Sequence, residues 1–301
     1  MANAMSKQAW SLLLLLSAIW GASFLFIEMA LVALSPASLV FFRVLIGAMT
    51  LGFVIIVTRR ALPKQSSFWL STFVMGAINN VIPFTLIAYG QVTITGGMAS
   101  IINANTAFFG VLVAAIFIVN ERLSAHRLIG VIIGVSGVVI VVGPSELSQF
   151  DLTSIGQLAV ILATLSYAFA SVWGRLKLQG YDSIVTAFAT TLSASLILGV
   201  YLMVTQSFPV FDVTISLVIV AIGLGVIGTG YAYMIYFRIL ALAGASNLML
   251  VTIIVPIFAV TLDAIFLSQW VSVREMMGFC IIAIGLAVMD GRVLSYLQPN
   301  K

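Results

Sequence analysis

The sequence predicts an all-α protein that lies almost entirely within a lipid bilayer, and three observations predict it. Of its 301 residues, 62% are hydrophobic and 7% charged, where a soluble protein carries about 25% charged residues. Gln65 to Asn120 is a run of 56 residues without one Asp, Glu, Lys or Arg, long enough for two membrane crossings of about 20 residues each. Finally, the basic residues collect in alternate loops between the apolar runs.

Charges and turn residues divide the chain into ten predicted spans: roughly 9–33, 37–58, 67–90, 95–119, 126–143, 154–174, 183–205, 213–237, 245–268 and 272–291. The first follows Lys7 and lacks a small-residue cleavage site at signal-peptide length, so it is expected to be retained. Ser35-Pro36 separates the first two spans. The uncharged run holds the third and fourth, with Gly90 to Gly97, including Thr93, Thr95 and Gly96, as their turn. Gly143-Pro144-Ser145 closes the fifth, and Phe208-Pro209 with Asp212 precedes the eighth. The loops are too short for an extramembrane domain.

With the N-terminus in the cytoplasm, one side collects Lys7, Arg59, Arg60, Lys64, Arg122, Arg127, Arg175, Lys177, Arg238, Arg292 and Lys301, which are 11 of the 13 Lys and Arg. Arg274 falls on the other side and Arg43 inside a span; the fifth-to-sixth and seventh-to-eighth loops carry only Glu146, Asp151 and Asp212. Cytoplasmic loops of membrane proteins are enriched in Lys and Arg. The net charge of +4 therefore reads as topology, with both termini cytoplasmic, and not as a nucleic-acid footprint. The single cysteine, Cys280, excludes an intramolecular disulfide or a cysteine metal site, and the single histidine, His126, lies in a short charged loop.

The two halves read alike. Gly96 to Ile140 and Ala243 to Val288 match in their apolar runs and turns: Ala99-Ser100 and Thr106 correspond to Ala245-Ser246 and Thr252 at an offset of 146, and Gly130 and Gly137 to Gly278 and Gly285 after a two-residue adjustment. Two repeats, 1–146 and 147–301, would each hold five helices. Because five is odd, the second repeat enters the membrane from the opposite side, and inverted repeats are a known route to alternating access around a midplane site.

WGASFLF (Trp20 to Phe26), IPFTLIAYGQVTITGGMASIINANTAFFGVLVA (Ile82 to Ala114) and the ERL segment at Glu121 resemble the drug/metabolite transporter superfamily, in its EamA-like branch. The resemblance covers nearly the whole chain, and within the branch it is similar to the YddG-type bacterial exporters of aromatic and other neutral amino acids. It implies a 5+5 inverted arrangement in the bacterial inner membrane. It also implies a central cavity lined by helices 1, 3, 4, 6, 8 and 9, with helices 5 and 10 packed at one side.

Several residues are candidates for the solute site. In AINNVIPF, Asn79 and Pro83 share one helical face at i, i+4. Pro83 lacks a backbone donor and is expected to free the carbonyl of Asn79, while Asn80 points about 100° away and is expected mainly to pack. Helix 4 presents Ala99, Asn103, Thr106 and Gly110 as a small-polar stripe, with Asn105 off it; helix 9 supplies Asn247, Thr252 and Pro256, and Pro256 aligns with Gly110. Trp20 and Tyr167 lie deep and correspond at an offset of 147. Trp10, Trp69, Trp173 and Trp270, and Tyr89, Tyr231, Tyr233 and Tyr236, lie nearer span ends, where such residues serve as interface anchors. Gly223, Gly225, Gly228 and Gly230 make helix 8 flexible or closely approached, which suits a gate together with Tyr233.

Glu28, Arg43 and Asp263 are intramembrane charges, which are functional candidates by default. Their depths allow a Glu28–Arg43 ion pair, with Asp263 either coupling transport or staying hydrated near the outer surface. These residues suit a carrier that exports small metabolites, amino acids above all; a multidrug carrier, or one for nucleosides, sugars or cationic drugs, is the alternative. No cofactor or metal is expected, and a monomer is compatible with the sequence. No phosphate-binding GxxxxGKS/T loop occurs. Gly134-Val135-Ser136-Gly137 spells a GxSG string of intramembrane proteases, but no later helix offers a base, and Gly130, Gly134 and Gly137 with Gly278 and Gly285 read as a stripe packing helix 5 on helix 10. A channel is disfavoured because no selectivity filter or ring of charges occurs.

Overall fold

The computed structural model describes residues 6–118, 125–142, 152–205, 214–248 and 250–290, without the side chains of 142, 152–154, 216, 244–247 and 290. The described residues are helical almost throughout and contain no strand. Hydrocarbon imposes this, because a helix satisfies its backbone donors and acceptors within one segment. The elements are α1 (Lys7–Leu31), α2 (Pro36–Thr58), α3 (Ser66–Gly90), α4 (Gly96–Phe117), α5 (Ala125–Val142), α6 (Leu152–Lys177) and α7 (Ser183–Val204). They continue with α8, built of Ile215–Ala221, Ile222–Tyr231 and Ala232–Leu248, then α9 (Val251–Phe266) and α10 (Val273–Asp290). Seven described helices are long and apolar enough to cross a membrane, and Ala125–Val141 and Val251–Phe266 are shorter apolar helices.

Polar residues at the turns start the helices where the sequence places them. Ser35 accepts from the Ser38 amide at 3.3 Å and Pro36 takes the first position of α2, where its missing N–H costs nothing. Thr95 caps α4 through the Met98 amide at 3.2 Å, and Asp182 caps α7 through the amides of Ile184 and Val185.

Two predicted spans differ in detail. The fourth is not continuous: α4 consists of Gly96–Asn103 and Thr106–Phe117, interrupted at Ala104–Asn105. The Asn105 side chain donates to the Ile102 carbonyl at 2.7 Å and the Thr106 hydroxyl to that of Asn103 at 2.8 Å. Such local bonds compete with the helix ladder, so α4 breaks there and not at Gly110. The predicted ninth span begins at Val251 instead of 245, and the residues up to Leu248 continue α8. The loop signals at Gly143-Pro144-Ser145 and Phe208-Pro209, and Glu121, Arg122, Glu146, Asp151, Asp212, Arg292 and Lys301, lie outside the described residues.

Neither sequence half announces its wide turns. Ala77–Val81 in α3 and Ile222–Tyr231 in α8 are π-helical, with i→i+5 bonding. In α8 the Thr229 hydroxyl reaches the Leu224 carbonyl five residues back at 2.9 Å. The glycines of this segment permit close approach. A Cβ at Gly223 would meet Phe26 at 2.7 Å, at Gly225 Ile46 at 2.5 Å, at Gly228 the Ser23 hydroxyl at 2.9 Å, and at Gly230 Thr50 at 2.6 Å. They press α8 against α1 and α2, so their observed role is packing.

The helix 5–helix 10 stripe forms as predicted. A Cβ on Gly130 would lie 2.7 Å from the Gly285 carbonyl, one on Gly137 2.8 Å from that of Gly278, and one on Gly134 2.1 Å from the Phe108 ring. Ser136 donates to the Ile133 carbonyl at 2.7 Å and is exposed, so GxSG here belongs to a packing face.

The two ends of the bundle differ. At one, Arg60 on the α2–α3 connection pairs with Asp182 on the α6–α7 connection, close in sequence to Arg59, Lys64, Arg175 and Lys177. This is the basic end. At the other, carboxylate end, Glu28 and Asp263 tie α1, α4 and α9 together.

Gly285→Val should destabilise the protein by about 1–3 kcal/mol through overpacking, read as a lowered unfolding temperature in detergent. Gly110→Ala, with nothing within 4 Å of the new Cβ, should be neutral or stabilising by up to about 1 kcal/mol through helix propensity.

Candidate functional site

The site begins with a missing donor. Within the π turn the Ile82 amide bonds to the Ala77 carbonyl, five residues back. The same register would place the absent N–H of Pro83 opposite Ile78, not Asn79. The Ser166 hydroxyl of α6 supplies the bond instead, donating to the Ile78 carbonyl at 2.6 Å. The carbonyl freed by Pro83 is thus that of Ile78, and it joins α3 to α6.

The wide turn also redirects the asparagines. Asn79 and Asn80 both donate to the Tyr233 hydroxyl on α8, at 3.2 and 3.4 Å. Asn80 is fully buried, and its Oδ1 has no protein partner. The expectation that Asn80 faces away from the site is therefore corrected, because a π turn changes the angle between successive side chains. Tyr233, predicted near a span end, instead bridges α3 and α8 and stacks on Phe237 at 6.4 Å and 21°. Trp20 of α1 meets Tyr236 at 6.0 Å, and Tyr167 of α6 meets Phe84 edge-on at 6.4 Å. These rings come from α1, α3, α6 and α8, and so from both halves of the chain.

Arg43 lies among these rings and corrects a second expectation: it does not pair with Glu28. Its Nε donates to the Thr229 hydroxyl at 3.1 Å, and its guanidinium carbon lies 4.1 Å from the Phe84 ring centroid. Tyr167 and Tyr233 are within electrostatic reach, and the side chain is 8% exposed. Equal depth did not make Glu28 and Arg43 neighbours, because they project from different faces of α1 and α2. A cation at the bilayer centre costs about 2.5–3.5 kcal/mol or more. A desolvated cation–π contact returns about 2 kcal/mol and one hydrogen bond to a charged group about 1.5–3 kcal/mol. These two contacts make the buried position tolerable without a carboxylate.

Glu28 serves the carboxylate end instead. It accepts from the Gly96 amide at 3.1 Å and from the Gln269 side chain at 2.6 Å. Asp263, 2% exposed and so not hydrated at a surface, accepts from the Gly97 amide at 2.5 Å. Gln91 adds a bond to the Phe24 carbonyl at 2.9 Å. Two carboxylates thus meet the unsatisfied first amides of α4, where the helix dipole favours negative charge. The first segment of α4 packs on α9 and the second on α6. Gly110, in the second segment, faces open space. α4 is therefore held to α1 and α9 at the carboxylate end, while its second segment packs on α6.

Other candidates are more scattered. Asn103 ends the first segment of α4, half-buried with a partnerless Oδ1. Thr106 spends its hydroxyl on the Asn103 carbonyl. Thr252 is half-buried in the first turn of α9 beside buried Val251, with Pro256 one turn on. The side chain of Asn247 lies outside the described residues, and Gly228 is a packing position. Trp10 and Trp270 are exposed as interface residues should be, while the Trp69 and Trp173 indoles donate to the Pro63 and Ser71 carbonyls. Sequence reasoning missed Phe84, Ser166, Gln91, Gln269 and Thr229. Of these, Ser166 carried a signal, a polar residue beside Tyr167 in mid-span. Among the described residues no His, Cys, Asp and Glu cluster could hold a metal.

Ser166→Ala should cost about 1–3 kcal/mol by leaving the Ile78 carbonyl unsatisfied. Adding Pro83→Ala, which supplies an N–H in the right register, should recover part of that loss in a double-mutant cycle on unfolding. Additive losses would refute the shared carbonyl.

The sequence profile of the EamA-like transporter family matches the chain twice, at residues 8–143 and 154–289. The chain is 22% identical over 268 residues to the uncharacterized transporter YoaV of Bacillus subtilis, covering 89% of this chain and 91% of that one. It is 24% identical over 287 residues to an uncharacterized transporter of Archaeoglobus fulgidus, covering 93% and 98%. It is also 24% identical over 277 residues to protein PagO of Salmonella typhimurium, covering 91% and 90%. A solved crystal structure superposes with a TM-score of 0.62 over 91% of this chain and 96% of that one at 17% identity, a likeness of fold alone. With both halves matched by one profile and the chain built of membrane-length helices, the protein belongs to the EamA-like transporter family of the drug/metabolite transporter superfamily.

Proposed function

We propose that the protein exports small metabolites, chiefly aromatic and other neutral amino acids, across the bacterial inner membrane by alternating access. In this reading ten helices cross the bilayer as two inverted five-helix repeats, 1–146 and 147–301, with both termini and the basic end in the cytoplasm. The observation that carries it is the convergence of polar and aromatic side chains of both halves near Arg43, beside an end of the bundle where Glu28 and Asp263 hold α4; this reading takes the cluster as the wall of a solute chamber closed at that end. A carrier needs such a site and a seal that can be exchanged between its faces. The twofold profile match at 8–143 and 154–289 supports the repeat, and the basic residues support the orientation. In the alternative, a cationic drug would use the aromatic faces of Trp20, Tyr167 and Tyr236. Arg43 in the same chamber opposes a cation and favours the amino-acid reading.

In liposomes, the protein should catalyse counterflow of labelled phenylalanine and other neutral amino acids. Asn79→Ala should lower that flux about tenfold, the equivalent of one lost hydrogen bond. Transport of an unrelated metabolite with no flux of any neutral amino acid would contradict the substrate while retaining the carrier.

A further inference from the structure

We infer that Arg43 is the receptor for an anionic group of the transported solute, so that the substrate class is a small carboxylate-bearing molecule with an apolar or aromatic body. This rests on the carrier reading and adds the atom that selects the cargo.

Of the five N–H donors of an arginine, Nε alone meets a protein acceptor, Thr229; no acceptor among the described residues meets the two Nη groups. The side chain is 8% exposed, so little of it faces solvent. Among the described residues no carboxylate pairs with it: Glu28 is taken by Gly96 and Gln269, and Asp263 by Gly97. The planar fork matches a carboxylate bidentately, and the guanidinium is pre-oriented by the Phe84 face at 4.1 Å and by Thr229. A cavity of about 140 Å³ between α1, α2 and α8 borders Arg43 and is otherwise lined by apolar side chains such as Leu39, Phe42 and Leu224. Apart from that cavity, Arg43 lies near groups suited to the rest of an amino acid: Tyr167 and Tyr233 are within its electrostatic reach, and Tyr233 bonds to Asn80. The partnerless Oδ1 of Asn80 can accept from an ammonium, and the Tyr167 and Trp20 rings can meet an apolar side chain. A buried cation with an unfilled fork, held in place by a ring and a hydroxyl, is poor design for packing alone. It is a suitable receptor for an anion that comes and goes.

The test is binding to the purified full-length protein, by thermal stabilisation, of three probes sharing one aromatic body: 3-phenylpropionate, L-phenylalanine and L-phenylalaninamide. The two carboxylates should stabilise at concentrations about 10- to 100-fold lower than the amide, as expected for a charge-assisted pair. Arg43→Gln should remove that preference, and Arg43→Lys should keep part of it, which preserves the test if the glutamine variant does not fold. Equal action of the amide and the carboxylates, stabilisation by none of them, or an undiminished preference in both Arg43 variants would overturn the assignment. Stabilisation by 3-phenylpropionate without phenylalanine flux in liposomes would support the anion receptor and refute amino-acid export. Phenylalanine flux indifferent to the carboxylate would do the reverse.

Discussion

The donation of the Gly96 and Gly97 amides to Glu28 and Asp263 is the interaction on which the remaining arrangement depends. A helix that starts within a bilayer exposes amides that neither water nor its own backbone can satisfy. Two carboxylates, carried by α1 and α9, solve that problem for α4. They thereby fix three helices at one end of the bundle. Each carboxylate is in turn made affordable in apolar surroundings by the amides. Without the Gly97 amide, buried Asp263 would lose its side-chain partner among the described residues, while half-buried Glu28 would keep Gln269.

The same accounting explains the irregular middle of the molecule. At the π turns, bonds to other helices take up polar groups: Ser166 of α6 meets the Ile78 carbonyl, Tyr233 of α8 meets two carboxamides of α3, and Thr229 of α8 meets Arg43 of α2. The π turns in α3 and α8 lie at corresponding places in the two halves, and α4 and α8–α9 both break near Asn105 and Leu250. Regular helices surround this region, and the tight glycine seam of α5 on α10 stands apart from it. Rigid contact is concentrated at the side and exchangeable hydrogen bonds at the centre, a division suited to a rocking carrier.

Much of this was legible in the sequence for identifiable reasons. Glycine at helical spacing signals close approach, so the seam from Gly130 to Gly285 was readable without coordinates. A polar residue in an uncharged run needs a partner, so Asn79, Asn103 and Asp263 stood out. Arg43 was misplaced because depth can be counted along a helix while azimuth against a neighbouring helix cannot; counting alone paired it with Glu28. Asn80 was discounted because a 100° step assumes α geometry, and no propensity distinguishes a π turn. Ser166, Gln91 and Gln269 bond to backbone or to residues far along the chain, and composition gives no address for such partners.

One-sided closure of the chamber is the central claim, and side-specific labelling tests it most directly. With exposed Cys280 replaced by Ala, a single cysteine at Gly110 would be treated with a membrane-impermeant thiol reagent from each face of oriented membranes. The account predicts modification from the basic face alone in the wild-type background. Access from the opposite face should appear once Glu28→Gln and Asp263→Asn loosen the hold on α4. Equal modification from both faces of the otherwise unaltered protein, or modification only from the carboxylate face, would contradict it.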